Sequence, residues 1–519
     1  MPHTLYPFDP SACASYLEKA EQLRPALLER TVRPLRTVEG IADPAAYQGY
    51  AVRDVESCAD TLSRAYGNGD AFTLDFGDHC VGYLHLHILP GADRAPDSPL
   101  RLRLTFAELP QELMLAPEDY HGALSSTWLQ HEILNVDFIP CELRLPRRYA
   151  FRYLKIEILG RGTAYTVRFA DIFCTSVSSA DRAKLPPLPD GLPADIAAID
   201  RVACRTLEDC MQSVFEDGPK RDRRLWIGDL RLQALANYAT FHNIDLVRRC
   251  LYLFAGALRS DNWVSCAIFT DPVIQNDPWH LLDYSLFFIS ILHDDYAETG
   301  DLDFVRELWP VAFLQAELAS GNMDARGMAI QHNTFVDWCP DLDKQCSTQA
   351  IVIYTFRQAL TLAEALNDTP AIDFLRAKLA QYVEAARSLF DPDEQLFVSG
   401  PARQISWASQ VWMVLARVYD DSFNRALLRR LDERNPPVTM HTPYMYHHYI
   451  DALLSCGEKE KALSAMRAYW GDMVQKGADT FFEAFNPDDD LESPYGDSVI
   501  NSYCHAWSCT PTYLIRRRF

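Results

Sequence analysis

Several polar stretches in the second half of the chain concentrate the side chains that could do chemistry. The first holds Asp217, Arg221, Asp222, Arg223, Arg224 and Trp226 and runs into Asp229. The second holds Trp263, Asp271, Asp277 and Trp279; the third Asp337, Trp338, Asp341 and Asp343; the last Asp479, Glu483, Asp488, Asp489, Asp490 and Glu492. Carboxylates bind vicinal hydroxyls, and indole faces stack on the C–H face of a pyranose. A pair of carboxylates can also supply the general acid and general base for glycosidic cleavage. Carboxylates and tryptophans brought together from separate loops therefore point to sugar recognition and glycosidase chemistry.

Metal chemistry finds little support. The 14 cysteines form no CxxC pair, and the spacings Cys204/Cys210 and Cys504/Cys509 fit no common zinc template. His131-Glu132 begins like HExxH, but Asn135 stands where the second ligand would be. His79, His85 and His87 read as a strand face rather than ligands. The run 486–497 resembles a calcium loop but lacks Gly at its sixth position and ends in Asp, so it reads as a solvated acidic loop. No metal and no cofactor are expected.

The elements that must position these residues divide the chain. Short alternating runs at 71–76, 81–88, 100–106, 151–158 and 164–174, separated by Gly, Pro and Asp, indicate an antiparallel β-sandwich over 1–180. Pro186, Pro187, Pro189 and Pro193 mark a linker at 181–194. From 195 to 519 helical periodicity dominates, in segments 195–215, 229–241, 245–258, 280–298, 302–319, 347–366, 370–390, 404–418, 421–433, 443–455, 458–473 and 499–514. Their connections alternate between long and short, and short ones make antiparallel helical hairpins. All long connections then emerge at one end. Hairpins closed in a ring give an (α/α)6 barrel with a loop-built cavity; an open solenoid would show the same alternation. The fold class is thus mixed β and α, a sandwich followed by an (α/α)6 barrel.

With 519 residues, 48% of them hydrophobic, the chain is globular and multidomain. Its formal charge of −22 disfavours nucleic acid and anionic membranes as partners. The start shows no secretory signal, no stretch is long enough to span a bilayer, and dispersed cysteines suit reduced thiols, so a cytoplasmic location is expected. The Arg516–Arg518 terminus reads as an exposed tail.

The run Asp217-Gly218-Pro219-Lys220-Arg221-Asp222-Arg223-Arg224-Leu225-Trp226-Ile227-Gly228-Asp229 resembles the signature of the α-L-rhamnosidases of glycoside hydrolase family 78. There an Asp, an Arg, an acid, a Trp and a Gly-Asp recur at this spacing. Trp279 at the close of its loop, Asp337-Trp338, the run 479–485 and the closing run Tyr503 to Pro511 fit the same family. The resemblance covers roughly 195–519 and extends more weakly into the sandwich. It implies an exo-acting, inverting hydrolysis of terminal α-L-rhamnose from small glycosides or oligosaccharides, with water as second substrate. Asp222 would be the general acid and Glu483 the general base, their carboxyls roughly 6.5–9.5 Å apart to admit that water. Asp217, Arg221, Trp226, Asp229, Trp279, Trp338 and His505 would contact the sugar. In one departure, the acid is Glu in many members and Asp here.

Flanking arginines would lower the pKa of Asp222, so it is expected beside another carboxylate or an apolar wall, with most arginines turned elsewhere. Simpler roles stand beside the functional ones. Asp229 could be an N-cap, Asp217 part of a turn, Arg221 an internal ion-pair partner, Trp226, Trp279 and Trp338 barrel core, and His505 a core histidine on the last helix. Other enzymes on this barrel, including a sugar phosphorylase, and an inactive carbohydrate-binding protein are the alternative functions. The compact architecture leaves room for a homodimer.

Overall fold

The computed structural model describes residues 11–91, 98–160 and 165–519. The first ten residues, read above for a leader, and Ala164, at the start of the expected 164–174 strand, lie outside the described residues.

The first part of the chain is built from β1 (Leu28–Val32), β2 (Arg36–Ala42), β3 (Tyr50–Glu56), β4 (Ala71–Pro90), β5 (Leu100–Ala107), β6 (His131–Val136), β7 (Cys141–Arg144), β8 (Tyr149–Gly160) and β9 (Val167–Ser178), paired antiparallel. The runs expected as separate strands at 71–76 and 81–88 are one strand, β4, whose pairing with β8 shifts register between Asp75 and Cys80. Gly77 lies in that irregularity at φ 88°, a conformation open to a residue without Cβ. Toward its start β4 pairs with β2 and β8, and toward its end with β9 and β7, so it carries the chain between the layers. Leu84, Leu86 and Ile88 point into a core with Leu104, Phe106, Phe151, Ile156 and Phe169, while His85 and His87 take the opposite parity.

His79 departs from the strand-face reading. It is fully buried, with Nδ1 2.8 Å from Asp209 and Nε2 3.0 Å from Glu108. Cys504 joins His79 and Asp209 within 4.8 Å, but both ring nitrogens are already committed to carboxylates. Burial would favour the neutral ring; the surrounding acidic groups outweigh it and raise its pKa well above the usual value. The triad Asp209–His79–Glu108 is therefore an ionic link between the two halves of the molecule.

The helices are α1 (Ala12–Gln22), α2 (Cys58–Ser63), α3 (Pro110–Met114), α4 (Ala194–Cys210), α5 (Ile227–Ala239), α6 (Ile244–Gly256), α7 (Leu282–Thr299), α8 (Leu302–Ser320), α9 (Gln345–Leu366), α10 (Thr369–Arg387), α11 (Trp407–Leu415), α12 (Asp421–Arg434), α13 (Pro443–Ser455) and α14 (Lys459–Met466). Capping chemistry sets the short turns. Asn243, Asp301, Asp368 and Asp420 accept the N–H of Leu246, Phe304, Ala371 and Phe423 at 3.1, 3.0, 3.2 and 2.9 Å. Gly300 and Asn367 end the preceding helices in the left-handed region. Helices α5, α7, α9, α11 and α13 pack in succession, and a turn at Ala506–Ser508 joins α13 back to α5. The ring is closed, which excludes the open solenoid.

That closing turn corrects the expected helix at 499–514. The stretch holds turns at Ser498–Ile500 and Ala506–Ser508, with only Pro511–Tyr513 as α-helix. Ser502 and Asn501 side chains here capture backbone groups: Ser502 Oγ donates to the Cys504 carbonyl at 2.9 Å and Asn501 Nδ2 to the Glu492 carbonyl at 3.3 Å. The terminal arginines are also no free tail. Arg516 pairs with Asp200 at 2.8 Å, Arg517 donates to the Tyr238 carbonyl at 2.8 Å, and Arg518 pairs with Asp451.

Helix α1 precedes the sandwich in sequence yet packs on the barrel. Tyr16 donates to the Glu307 carbonyl at 3.1 Å and stacks on Tyr252 at 6.1 Å between ring centroids. A Cβ on Gly256 would lie 2.7 Å from Leu17 Cδ2 and 2.9 Å from the Cys13 carbonyl oxygen. Gly256→Ala should therefore lower the unfolding free energy by about 1–3 kcal/mol despite alanine's better helix propensity. Urea unfolding checks this; unchanged or higher stability would show that α1 does not hold this close contact.

Candidate active site

The inner helices all begin at the barrel end where the long connections gather, and the chemistry-bearing residues lie there. Asp217 organises the first connection. Its Oδ2 accepts the N–H of Asp222 at 3.1 Å and its Oδ1 that of Arg224 at 3.0 Å, while its own N–H donates to the Arg224 carbonyl at 3.0 Å. Burial, with the charge of Asp222 beside it, pushes its pKa well above the ordinary value. Leu225–Trp226 pairs with Ala267–Phe269, tying this connection to the one that carries Trp279. Trp226 is half-buried, edge-on to Tyr284.

Asp222 and Glu483 flank one guanidinium. Arg221 is 2% exposed. Its Nη2 donates to Glu483 Oε2, its Nε to the Ile500 carbonyl at 2.9 Å, and its Nη1 lies 3.9 Å from Asp222 Oδ1. Glu483 also accepts the Ser502 N–H at 3.1 Å and the Tyr495 hydroxyl at 2.7 Å. Asp222 is served more poorly. Among the described residues its nearest cations are Arg221 and, at 4.0 Å, Arg224, which is shared with Asp277 at 3.8 Å. Arg223 turns away to the carbonyls of Pro219 and Arg148. Burial raises the pKa of Asp222, Arg221 and Arg224 pull it down, and Glu483 and Asp277 push it up; the net direction is upward. The expected carboxylate neighbour is present, but of the three flanking arginines only Arg223 is turned away, while Arg221 and Arg224 both remain within 4.0 Å of Asp222.

Asp229 is no N-cap. Trp226 holds the cap position of α5, and Asp229 lies in the first turn, 2% exposed, with no hydrogen bond to Oδ1. Burial first, then Asp217 and Glu483, drive its pKa well above the ordinary value. His505 Nδ1 stands 3.5 Å from that oxygen and its Nε2 3.7 Å from Glu483 Oε1. Burial and Arg221 push His505 well below its usual pKa. It caps a turn rather than sitting on a helix.

Two buried aspartates fix the third connection. Asp283 accepts the N–H groups of Phe335 and Val336 at 2.9 and 3.1 Å, holding Val336 at φ 56°, a costly conformation for a β-branched residue. Asp337 accepts from Thr442 Oγ1 at 2.6 Å and from the N–H of His441 at 2.8 Å. Trp338 thereby meets Trp507 and Tyr495 edge-on, at 4.9 and 5.6 Å. Trp279 is apart from this cluster, 70% exposed on the rim. Of the groups that touch Glu483, sequence reasoning missed Tyr495 and Ser502. Their only signal was proximity to the run 479–485 and to His505.

This is a closed helical ring with two carboxyls in contrasting surroundings and indoles about them, the constitution of a six-hairpin glycosidase. Residues 194–518 match the bacterial α-L-rhamnosidase six-hairpin glycosidase domain, and residues 34–176 the N-terminal domain of glycosyl hydrolase family 78 α-rhamnosidases. The chain belongs to glycoside hydrolase family 78. A rhamnosidase from Klebsiella oxytoca, solved with rhamnose bound, is 45% identical, with 97% of this chain and 98% of that one covered and a TM-score of 0.94. The family 78 rhamnosidase of Bacillus sp. GL1 shares the fold at 21% identity and TM-score 0.74, with 89% of this chain and 49% of that one covered. The Streptomyces avermitilis α-L-rhamnosidase, complexed with L-rhamnose, does so at 16% and 0.65, with 95% and 44% covered. No match was found among curated proteins.

Burial pushes Asp283 and Asp337 up to about 6 from an ordinary 3.8. A raised folded pKa gives stability that is complete below the unfolded value and lost as pH rises through the folded one. The unfolding free energy of the protein relative to Asp337→Asn should therefore fall between about pH 4 and 6 and level off above. Urea titrations across that range test it, and a flat difference would contradict the assignment.

Proposed function

We propose that this chain is an exo-acting α-L-rhamnosidase that releases terminal α-L-rhamnose from small glycosides with inversion. The observation that carries this reading is the unequal treatment of two carboxyls beside one guanidinium. Glu483 accepts from Arg221, Tyr495 and Ser502, which suits a carboxylate. Among the described residues Asp222 has no such donors, and its pKa is shifted upward, which suits a proton donor. Asp222 protonates the glycosidic oxygen as the C1–O bond breaks. Glu483 takes a proton from water as its oxygen bonds to C1 from the opposite face, and exchange with solvent resets both groups. The Asp in place of Glu is met by a loop whose backbone Asp217 draws tight around Asp222.

Around that pair, Asp229 and His505 offer Oδ1 and Nδ1, both without a hydrogen-bond partner, to sugar hydroxyls. Trp226 and Trp338 provide faces for the ring, and the exposed Trp279 stands where a leaving group would pass. Arg221 keeps acid and base apart electrostatically, and Asp217 acts on the sugar through the loop.

Asp222→Asn should lower kcat on an unactivated rhamnoside by about 10²–10⁴-fold. With Asp222 as the acid and its pKa shifted upward, wild-type kcat should fall as pH rises through that pKa, and the Asn variant should lose this limb. A pH series of initial rates decides; wild-type turnover in the variant would remove Asp222 from the mechanism. Proton NMR of early product should show β-rhamnose first, and α-rhamnose first would overturn inversion.

A further inference from the structure

The segment 498–503 has two sides. Its peptide groups alternate between the Arg221–Glu483 pair and the side where Lys220 and Glu108 meet the sandwich. Toward the site, Ile500 gives its carbonyl to Arg221 Nε, Ser502 gives its N–H to Glu483 Oε2, and the Ser502 carbonyl accepts the Glu483 N–H at 3.0 Å. Toward the sandwich, Val499 and Asn501 give their carbonyls to Lys220 Nζ at 3.3 and 3.0 Å, and Tyr503 gives its N–H to Glu108 at 2.8 Å. Gln111 donates to Ser498 Oγ at 3.0 Å, and Gln48 to the Tyr503 hydroxyl.

Lys220 is the centre of this second side. It immediately precedes Arg221 in the chain, is completely buried, and pairs with Glu112 at 2.9 Å and Glu108 at 3.6 Å. Both acids stand at the end of β5 and the start of α3, in the β-rich part. A buried ammonium survives only with such partners. Burial would raise Glu108, but Lys220 and His79 hold it below its usual range, whereas Glu112 is raised, burial outweighing Lys220. One ammonium thus joins two sandwich carboxyls to two carbonyls of the strap that seats Arg221 and Glu483.

We propose that Lys220, with Glu108 and Glu112, is a positioning device through which the β-sandwich sets the geometry of the acid–base pair. This rests on the Asp222/Glu483 reading above. The sandwich is then an integral part of the catalytic unit. Small displacements of reacting groups cost large factors in rate, so the effect falls on kcat and leaves sugar binding largely intact.

The test uses the full chain carrying Lys220→Met, and Lys220→Met combined with Glu112→Gln, with Tm, kcat and KM measured on an aryl α-L-rhamnoside. The single variant, leaving buried carboxyls without their cation, should lose both Tm and kcat. The double variant should recover most of the Tm, yet stay at least about tenfold low in kcat with KM within about twofold, because Met cannot hold the two carbonyls. Recovery of kcat together with Tm would reduce Lys220 to a stabilising role and overturn the proposal. Should the Met variants not fold, Lys220→Gln is read the same way: lowered kcat at constant KM supports positioning, and wild-type kcat overturns it. Wild-type enzyme without turnover would instead sink the functional reading, and this proposal with it.

Discussion

A buried guanidinium, that of Arg221, is the interaction on which the site depends. Its position among Glu483, Asp222 and the Ile500 carbonyl solves an electrostatic problem. Two carboxyls close together in a medium of low dielectric cannot both ionise without a cation to share. The guanidinium hydrogen-bonds one and stays 3.9 Å from the other, so a single charge creates two chemically different carboxyls. Its own cost of burial is met by fixed partners on every side, including the Tyr495 ring 4.3 Å from its centre. The surrounding architecture, from the Asp217 clamp to the 498–503 strap, serves to keep that cation in place.

The charge balance of the whole chain reads differently in this light. The chain as a whole carries a formal charge of −22, yet the junction behind the site is organised around buried cations. Lys220, Arg221 and His79 are buried, and each is ringed by acids or carbonyls drawn from distant parts of the chain. Removing one cation would leave several acids uncompensated, which makes the junction between sheet and barrel cooperative.

Much of this was legible in the residues. The hairpins were visible because their turns are local: Asn243, Asp301, Asp368 and Asp420 cap helices three residues away. The run Asp217 to Asp229 was visible because its side chains and spacing are contiguous. Illegible were features decided by partners far off in sequence. His79 looked like one strand histidine among three until Asp209 and Glu108 enclosed it. Lys220 looked like another basic residue of an arginine-rich run. The stretch 499–514 has enough apolar residues to suggest a helix, but its peptide groups are claimed by Lys220, Glu108, Arg221 and Glu483 before a helix can use them. The terminal arginines were misread for the same reason, since Asp200 and Asp451 come from other helices.

Helix α1 gives the molecule a particular order of assembly. Synthesis delivers Tyr16 and Ala20 well before Tyr252, Gly256 and Glu307, which supply the surface that buries them. The nascent amino-terminal segment must therefore wait, its apolar face unsheltered, while the whole β-rich region and the first barrel helices leave the ribosome. Once α1 docks, the intervening sheet is tethered at both ends to the same helical body. The ordering of the polypeptide in time thus departs from its simple reading as two consecutive modules: residues made before the sheet are among those that complete the helical body made after it.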